Sequence, residues 1–279
     1  MKLFRITARH AVLTFFSAVW LVPIVWMLVT SFSVDNGPNI RSFFPQGWTL
    51  DQYAALLFGS SVVAHFPQWF MNTLTIATFN CIISSMFVLM VAYSMSCMRF
   101  RMRKPMMNIA LIVNLFPGFL SMIAVYFIMK SIGMTNSNIG MIIVYSGGSG
   151  LGYLIAKGFF DTIPRSLLEA ARIEGATEAK IFLRIVLPLS KPIIVYTIIG
   201  AFLVPWMDFL FANIMLNSGL SEKKTVAIGL YSMVSRDNRN TYFGQFCAGG
   251  VLVSIPISIL FVIMQKFYIQ GITDGAIKG

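Results

Sequence analysis

The sequence predicts an all-α membrane protein with six transmembrane helices, and three observations lead there. The 279 residues are 57% hydrophobic and only 11% charged, six apolar stretches are long enough to cross a bilayer, and the basic residues gather on one side of them. A soluble domain carries about 25% charged residues, so this chain has too little polar surface to stay in water. The excess apolar surface must face lipid.

A membrane-crossing helix needs about 20 apolar residues. Such stretches fall at 11–32, 70–98, 106–129, 139–156, 192–216 and 246–265, making one transmembrane domain of the chain. The first runs uncharged from Ala11 to Phe32 behind Lys2, Arg5 and Arg9. A secretory signal has an apolar region of about 7–15 residues followed by a small-residue cleavage site, so a retained first helix is expected. Pro23, Pro117, Pro205 and Pro256 fall inside spans, and Gly147, Gly148, Gly150 and Gly152 crowd the fourth. Two readings are open for these breakers: kinks and close helix packing, as the Gly148-xxx-Gly152 pair allows, or a broken-helix ion site. Asn72, Asn80, Asn108 and Asn114 are expected to hydrogen-bond between helices.

The connections fix the orientation. The N-terminus, 99–104, 157–191 and the C-terminal tail carry fifteen Lys and Arg; the opposite side carries six, namely Arg41, Lys130, Lys223, Lys224, Arg236 and Arg239. Basic residues concentrate on the cytoplasmic side, so both termini are expected in the cytoplasm. The net charge of +11 thereby reads as a topology signal, and nucleic acid is not an expected partner. Outside, 33–69 carries Phe43, Phe44, Trp48 and Tyr53 for the membrane interface. The polar 217–245 loop is either simply solvated or touches an extracytoplasmic partner.

The 157–191 connection is helical in pattern. Pro164 suits a first turn, Ser166 and Glu169 have capping-box spacing, and Gly175 follows the first run where a left-handed turn would end it. Thr177 can cap a second helix bearing Ile181, Phe182, Ile185 and Leu187, which Pro188 would end. A helix–Gly–helix element outside the membrane is expected, with apolar residues left for a partner.

Glu169, Ala170, Ala171, Gly175, Ile185, Leu187 and Pro188 fit the pattern Glu-Ala-Ala-x3-Gly-x9-Ile-x-Leu-Pro. That pattern resembles the loop of bacterial ABC importer permeases, and Glu-Ala-Ala-Arg-Ile-Glu-Gly-Ala-Thr resembles their carbohydrate branch, with Glu174 where Asp is common. Trp206-Met207-Asp208-Phe209 is similar to a Trp-Asn-Asp/Glu-Phe pattern of the same branch, Met207 replacing Asn. The ending Gly271 to Gly279 resembles the MalG-like permeases of maltose importers.

The resemblance implies a type I ABC importer permease fold in the bacterial cytoplasmic membrane, with a coupling helix between spans four and five. It implies a homologous second permease, two ATPase subunits that bind ATP and Mg, and an extracytoplasmic sugar-binding protein, with maltose, maltodextrin or a related oligosaccharide as cargo. Arg165, Glu169, Arg172 and Glu174 would make polar contacts to the ATPase, Ala170 and Ala171 would allow close approach, and Gly175 would set the bend. The tail, with Gly275, Lys278 and Gly279, would reach the ATPase pair.

Asp208 is the one acidic residue well inside an expected span. A charge at the bilayer centre costs roughly 2.5–3.5 kcal/mol on insertion scales, so it should face the bundle interior, either as a substrate-pathway group with Trp206 and Asn213 or as a packing or gating hydrogen bond. No phosphate-binding Gly-x4-Gly-Lys-Ser/Thr run, His-Glu-x-x-His or nucleophile elbow occurs, so neither ATP binding by this chain nor an enzyme activity is expected. Cys81, Cys97 and Cys247 lie in apolar stretches without metal-ligand spacing, and His10 and His65 read as incidental. An ion-coupled transporter acting alone stays open, with Asp208 its single coupling candidate. An intramembrane enzyme would need a catalytic constellation that is missing.

Overall fold

The computed structural model describes residues 2–38, 43–59, 65–115, 118–217 and 219–276. The first apolar stretch forms α1 (Lys2–Thr30), and none of the residues in its most apolar window is buried. A helix apolar all round needs lipid or protein on every side. Within 33–69, Ser33 pairs antiparallel with Trp48, and α2 (Asp51–Phe58) follows, where an interfacial loop was expected. Next come α3 (Phe66–Cys97), α4 (Arg103–Asn114) and α5 (Gly118–Ser131).

The stretch at 106–129 is not one straight helix, since α4 and α5 lie 100° apart. The break holds Pro117, which lies outside the described residues and whose ring has no backbone N–H to continue a helix. The fourth stretch is α6 (Asn138–Gly147) and α7 (Gly152–Phe160), bent by 45° across a 3-10 turn at Gly148–Leu151. The glycines there supply no side chain to hold a straight helix.

Beyond it lie α8 (Arg165–Ile173), α9 (Glu178–Ile181), a π turn over Phe182–Val186, and α10 (Leu187–Leu189). The fifth stretch forms α11 (Lys191–Met207), which stops at Asp208, and α12 (Leu210–Met215). The segment expected as the 217–245 loop contains α13 (Val226–Met233), whose Val226, Ile228 and Met233 are buried, and the first turns of α14 (Arg239–Ala276). Among the described residues, three helices are long and apolar enough to cross a membrane alone: Arg9–Ser31 within α1, α3, and Arg239–Phe267 within α14. Three bent pairs qualify jointly, α4 with α5, α6 with α7, and Glu178–Leu189 with α11, which gives up to six spans among the described residues by length and composition.

Two units divide the chain. In the first, Met1–Trp69 with Ile228–Pro256, the core gathers Leu56, Phe66, Trp69, Met233 and Cys247. Gly229 lies flat under the Trp69 indole, and a Cβ there would come within 2.0 Å of the ring. Gln52 ties α2 to the turn before it, its Nε2 donating to the Ser33 carbonyl (3.2 Å) and Asn36 Oδ1 (3.0 Å).

In the second unit, Phe70–Ala227 with Ile257–Gly279, α3 is the post to which other elements are tied. Near its start, Asn72 Nδ2 donates to the carbonyls of Glu222 (2.7 Å) and Lys224 (3.1 Å), and Asn72 Oδ1 accepts from Asn138. Midway, Asn80 Nδ2 donates to the Ala201 carbonyl of α11 (2.7 Å). Asn72 and Asn80 thus join elements, whereas Asn108 is exposed.

Candidate functional site

The helix–Gly–helix element forms. Gly175 has φ +80°, a conformation open to glycine but costly for other residues. Its N–H reaches the Arg172 carbonyl and the Ala176 N–H reaches the Ala171 carbonyl, both at 3.0 Å, the paired bonds of a Schellman end. Thr177 Oγ1 accepts from the Lys180 N–H at 3.3 Å and caps α9. The start of α8 differs from the capping-box expectation. Pro164, at φ −57° and ψ 124°, sits before the helix, and no side chain caps it. Ser166 is already inside the first turn, so its hydroxyl is out of register for capping, and Glu169 instead faces Arg99 at 3.5 Å. Pro188 does not end the second run either. The Leu187 N–H bonds five residues back to the Phe182 carbonyl, and this wider turn lets Pro188 enter α10, where a first-turn proline forfeits no bond. The helix ends at Ser190.

One face of the element packs on the Cys97 end of α3. Leu168, Ala171, Ile181 and Val186 join Leu89, Ala92, Tyr93 and Met95 in one apolar cluster, with Ile185 and Leu187 against its edge. Arg172 turns into this joint. Its Nε donates to Glu178 Oε1 at 2.7 Å, while Nη2 reaches Glu178 Oε2 at 3.3 Å and the Cys97 carbonyl at 3.1 Å. The Tyr93 hydroxyl donates to Glu178 Oε2. Hydrogen bonds from Arg172 hold the Glu178 carboxyl below the usual range, burial opposes this, and Tyr93 adds to it. Beside it, Lys157 and Ser96 donate to Asp161. Burial alone would raise Asp161, but those two hydrogen bonds outweigh it and the carboxyl titrates below its ordinary range.

The other face is bare. Arg165, Glu169, Ala170 and Glu174 are exposed, and so are Leu167 and Ile173, the latter at 88%. Arg172, expected beside Arg165 at a partner surface, is therefore an internal tie.

Asp208 lies in the break between α11 and α12. Its Oδ2 accepts from the Tyr145 hydroxyl at 2.8 Å and its Oδ1 from the Phe211 N–H at 3.0 Å. Trp206 points elsewhere, packing on Phe70 and Phe202 with ring centroids 5.4 and 6.0 Å away. Asn213 is exposed. The structure does not bring these three side chains together. Gly275 lies in α14; Lys278 and Gly279 lie outside the described residues.

Residues 89–274 match the family described as binding-protein-dependent transport system inner membrane component. The chain belongs to this family. Among relatives of this permease, the galactooligosaccharides transport system permease protein GanQ of Bacillus subtilis is 32% identical over 99% of this chain and 96% of its own length. The maltodextrin transport system permease protein MdxG of the same organism is 34% identical over 96% of this chain and 94% of its own. A solved chain from a bacterial ABC transporter involved in the import of the acidic polysaccharide alginate superimposes with a TM-score of 0.79. It is 23% identical and covers 96% of this chain and 97% of that one, so the fold is that of an ABC importer permease.

The permease residues that sequence reasoning missed are Leu167 and Ile173, the exposed apolar members of α8, and Glu178 and Tyr93, which anchor it. Leu167 carried a signal: α8 has more apolar positions than the face against α3 can cover. Tyr93 carried none, because its pairing with Glu178 spans 85 residues of chain.

Proposed function

We propose that this chain is one of two permease subunits of an ATP-driven, binding-protein-dependent importer that moves maltose, maltodextrin or a related oligosaccharide by alternating access. The observation that carries the reading is the bare face of α8. It is a short, rigidly held helix presenting Arg165, Leu167, Glu169, Ala170, Ile173 and Glu174, while Arg172 and Gly175 fix its pose. Exposed apolar residues rimmed by charge mark a protein contact, and the partner that fits is an ATPase subunit holding ATP and Mg. In this arrangement α8 is a coupling helix on the cytoplasmic side, both termini are cytoplasmic, and the C-terminal tail reaches toward the ATPase pair. The segment at 217–245 meets an extracytoplasmic sugar-binding protein. The galactooligosaccharide and maltodextrin names of the relatives support the cargo class.

The test is copurification and transport. Ile173→Asp and Glu169→Ala, expressed with the partner subunits, should lose ATPase copurification or ATP-driven uptake of labelled maltotriose. Gly175→Pro, which cannot adopt a positive φ, should abolish both. Retention of full coupled uptake by all three variants would sink the docking assignment.

A further inference from the structure

A cavity of about 690 Å³ opens in the second unit, within the range of ligand pockets. Among its polar side chains are Ser84 of α3, Ser121 of α5, Tyr145 of α6, Tyr196 of α11, and Asp208 in the break that follows. Asp208 is the informative one. A carboxylate offers about four acceptor positions, and two are filled, by Tyr145 and the Phe211 N–H. Among the described residues it has no ion-pair partner. Helix packing would be served as well by an amide, without the cost of a charge near the membrane interior. Asp208 lines a space whose other polar side chains are hydroxyls and the Asn80 amide, itself committed to the Ala201 carbonyl, and whose aromatic side chains are Tyr145, Tyr196 and Phe211.

We infer that this cavity is a carbohydrate subsite of the permease chain itself, selective for neutral sugars. It rests on the importer reading above. Sugar hydroxyls donate to Asp208 and exchange hydrogen bonds with Ser84, Ser121 and Tyr196, while the apolar face of a pyranose ring lies on an aromatic ring. The charge pattern narrows the class. Among the described residues no lysine, arginine or histidine lines the cavity, so a uronate would meet Asp208 without a counter-ion in a poorly screened site. Neutral gluco- or galacto-oligosaccharides fit, and acidic ones are turned away. A metal ion does not match the wall, because no three His, Cys, Asp or Glu cluster among the described residues.

The experiment uses the assembled transporter of both permeases and the ATPases, purified without binding protein, with equilibrium binding of labelled maltotriose. Asp208→Asn should weaken binding by about tenfold, and Ser121→Val and Tyr196→Ala each by about threefold or more. A triuronate in hundredfold excess should not displace the label. The two wall variants keep the test decisive where Asp208→Asn fails to assemble, since neither Ser121 nor Tyr196 holds Asp208 in place. Unchanged affinity in the assembled variants, or displacement by the triuronate, overturns the subsite alone. ATP-driven uptake by the unmodified transporter in proteoliposomes with its binding protein checks the underlying reading separately. Uptake of neither maltotriose nor galactotriose, or uptake driven by a sodium gradient without ATP, overturns the importer and the subsite together.

Discussion

Glu178 illustrates how single residues set the behaviour of the loop. It receives hydrogen bonds from Arg172 and Tyr93, and its carboxyl is held below the ordinary value as a result; Asp161 is held low beside it. A carboxyl whose pKa is lower in the folded state contributes stability above its unfolded pKa, and that contribution is lost as pH falls through the folded one. The tie should therefore hold at neutral pH and loosen below about pH 4. A nitroxide at the exposed position 173 should gain mobility over that range, and in Glu178→Gln should be mobile already at pH 7. Gly229 works by space alone. With Trp69 ring atoms 2.0 Å from where a Cβ would sit, Gly229→Ala should cost about 1–3 kcal/mol through overpacking, read as a lowered thermal midpoint in detergent. At Gly175 an added Cβ would meet no described atom within 4 Å beyond its chain neighbours. Gly175→Ala should thus cost only the backbone strain of φ +80°, roughly 1–2 kcal/mol, and Gly175→Asn less.

At the scale of elements, the sequence was most informative where local chemistry decides. Thr177 as a cap and Gly175 as a left-handed stop act through their immediate neighbours, and both appear as expected. The direction of Arg172 was not legible, because the Cys97 carbonyl it reaches, and the Tyr93 that shares its Glu178 partner, belong to a helix far away in sequence. Helix breaks were half legible: the glycines near 148 announced a bend, while the stop at Asp208 has no glycine and depends on a side-chain bond to the Phe211 N–H. Pro188 enters its helix behind a π turn. The π turn before it shifts the hydrogen-bond register, so deleting one residue within 182–186 should restore an α register. The α8 face would then turn relative to α11, and ATPase copurification should fall sharply while membrane insertion persists.

For the whole molecule, six apolar stretches were readable from composition; among the described residues three hold single long helices, two are bent pairs, and the fifth is α11 broken from α12 at Asp208. Apolar content reports on the solvent and not on straightness, which is why the count was within reach and the shape of each span was not. The candidate cavity was less legible still. Of the pathway residues expected from sequence, Asp208 lines it and Trp206 and Asn213 do not, because the break after Met207 resets the helical phase on which their grouping relied.

The double anchoring of α3 has a mechanical consequence. At its Cys97 end the helix is clamped to α8 through Arg172, and at Asn72 it grips the Glu222 and Lys224 carbonyls. At 1.5 Å per residue those grips are about 38 Å apart, a rigid rod joining opposite sides of the membrane under the proposed orientation. A rod transmits in both directions, and so does thermodynamic linkage. Whatever factor nucleotide at the ATPases applies to the affinity for a binding protein docked near 222–224, that protein must return to nucleotide affinity. Cutting either grip, by Asn72→Ala or Arg172→Met, should shrink both factors equally.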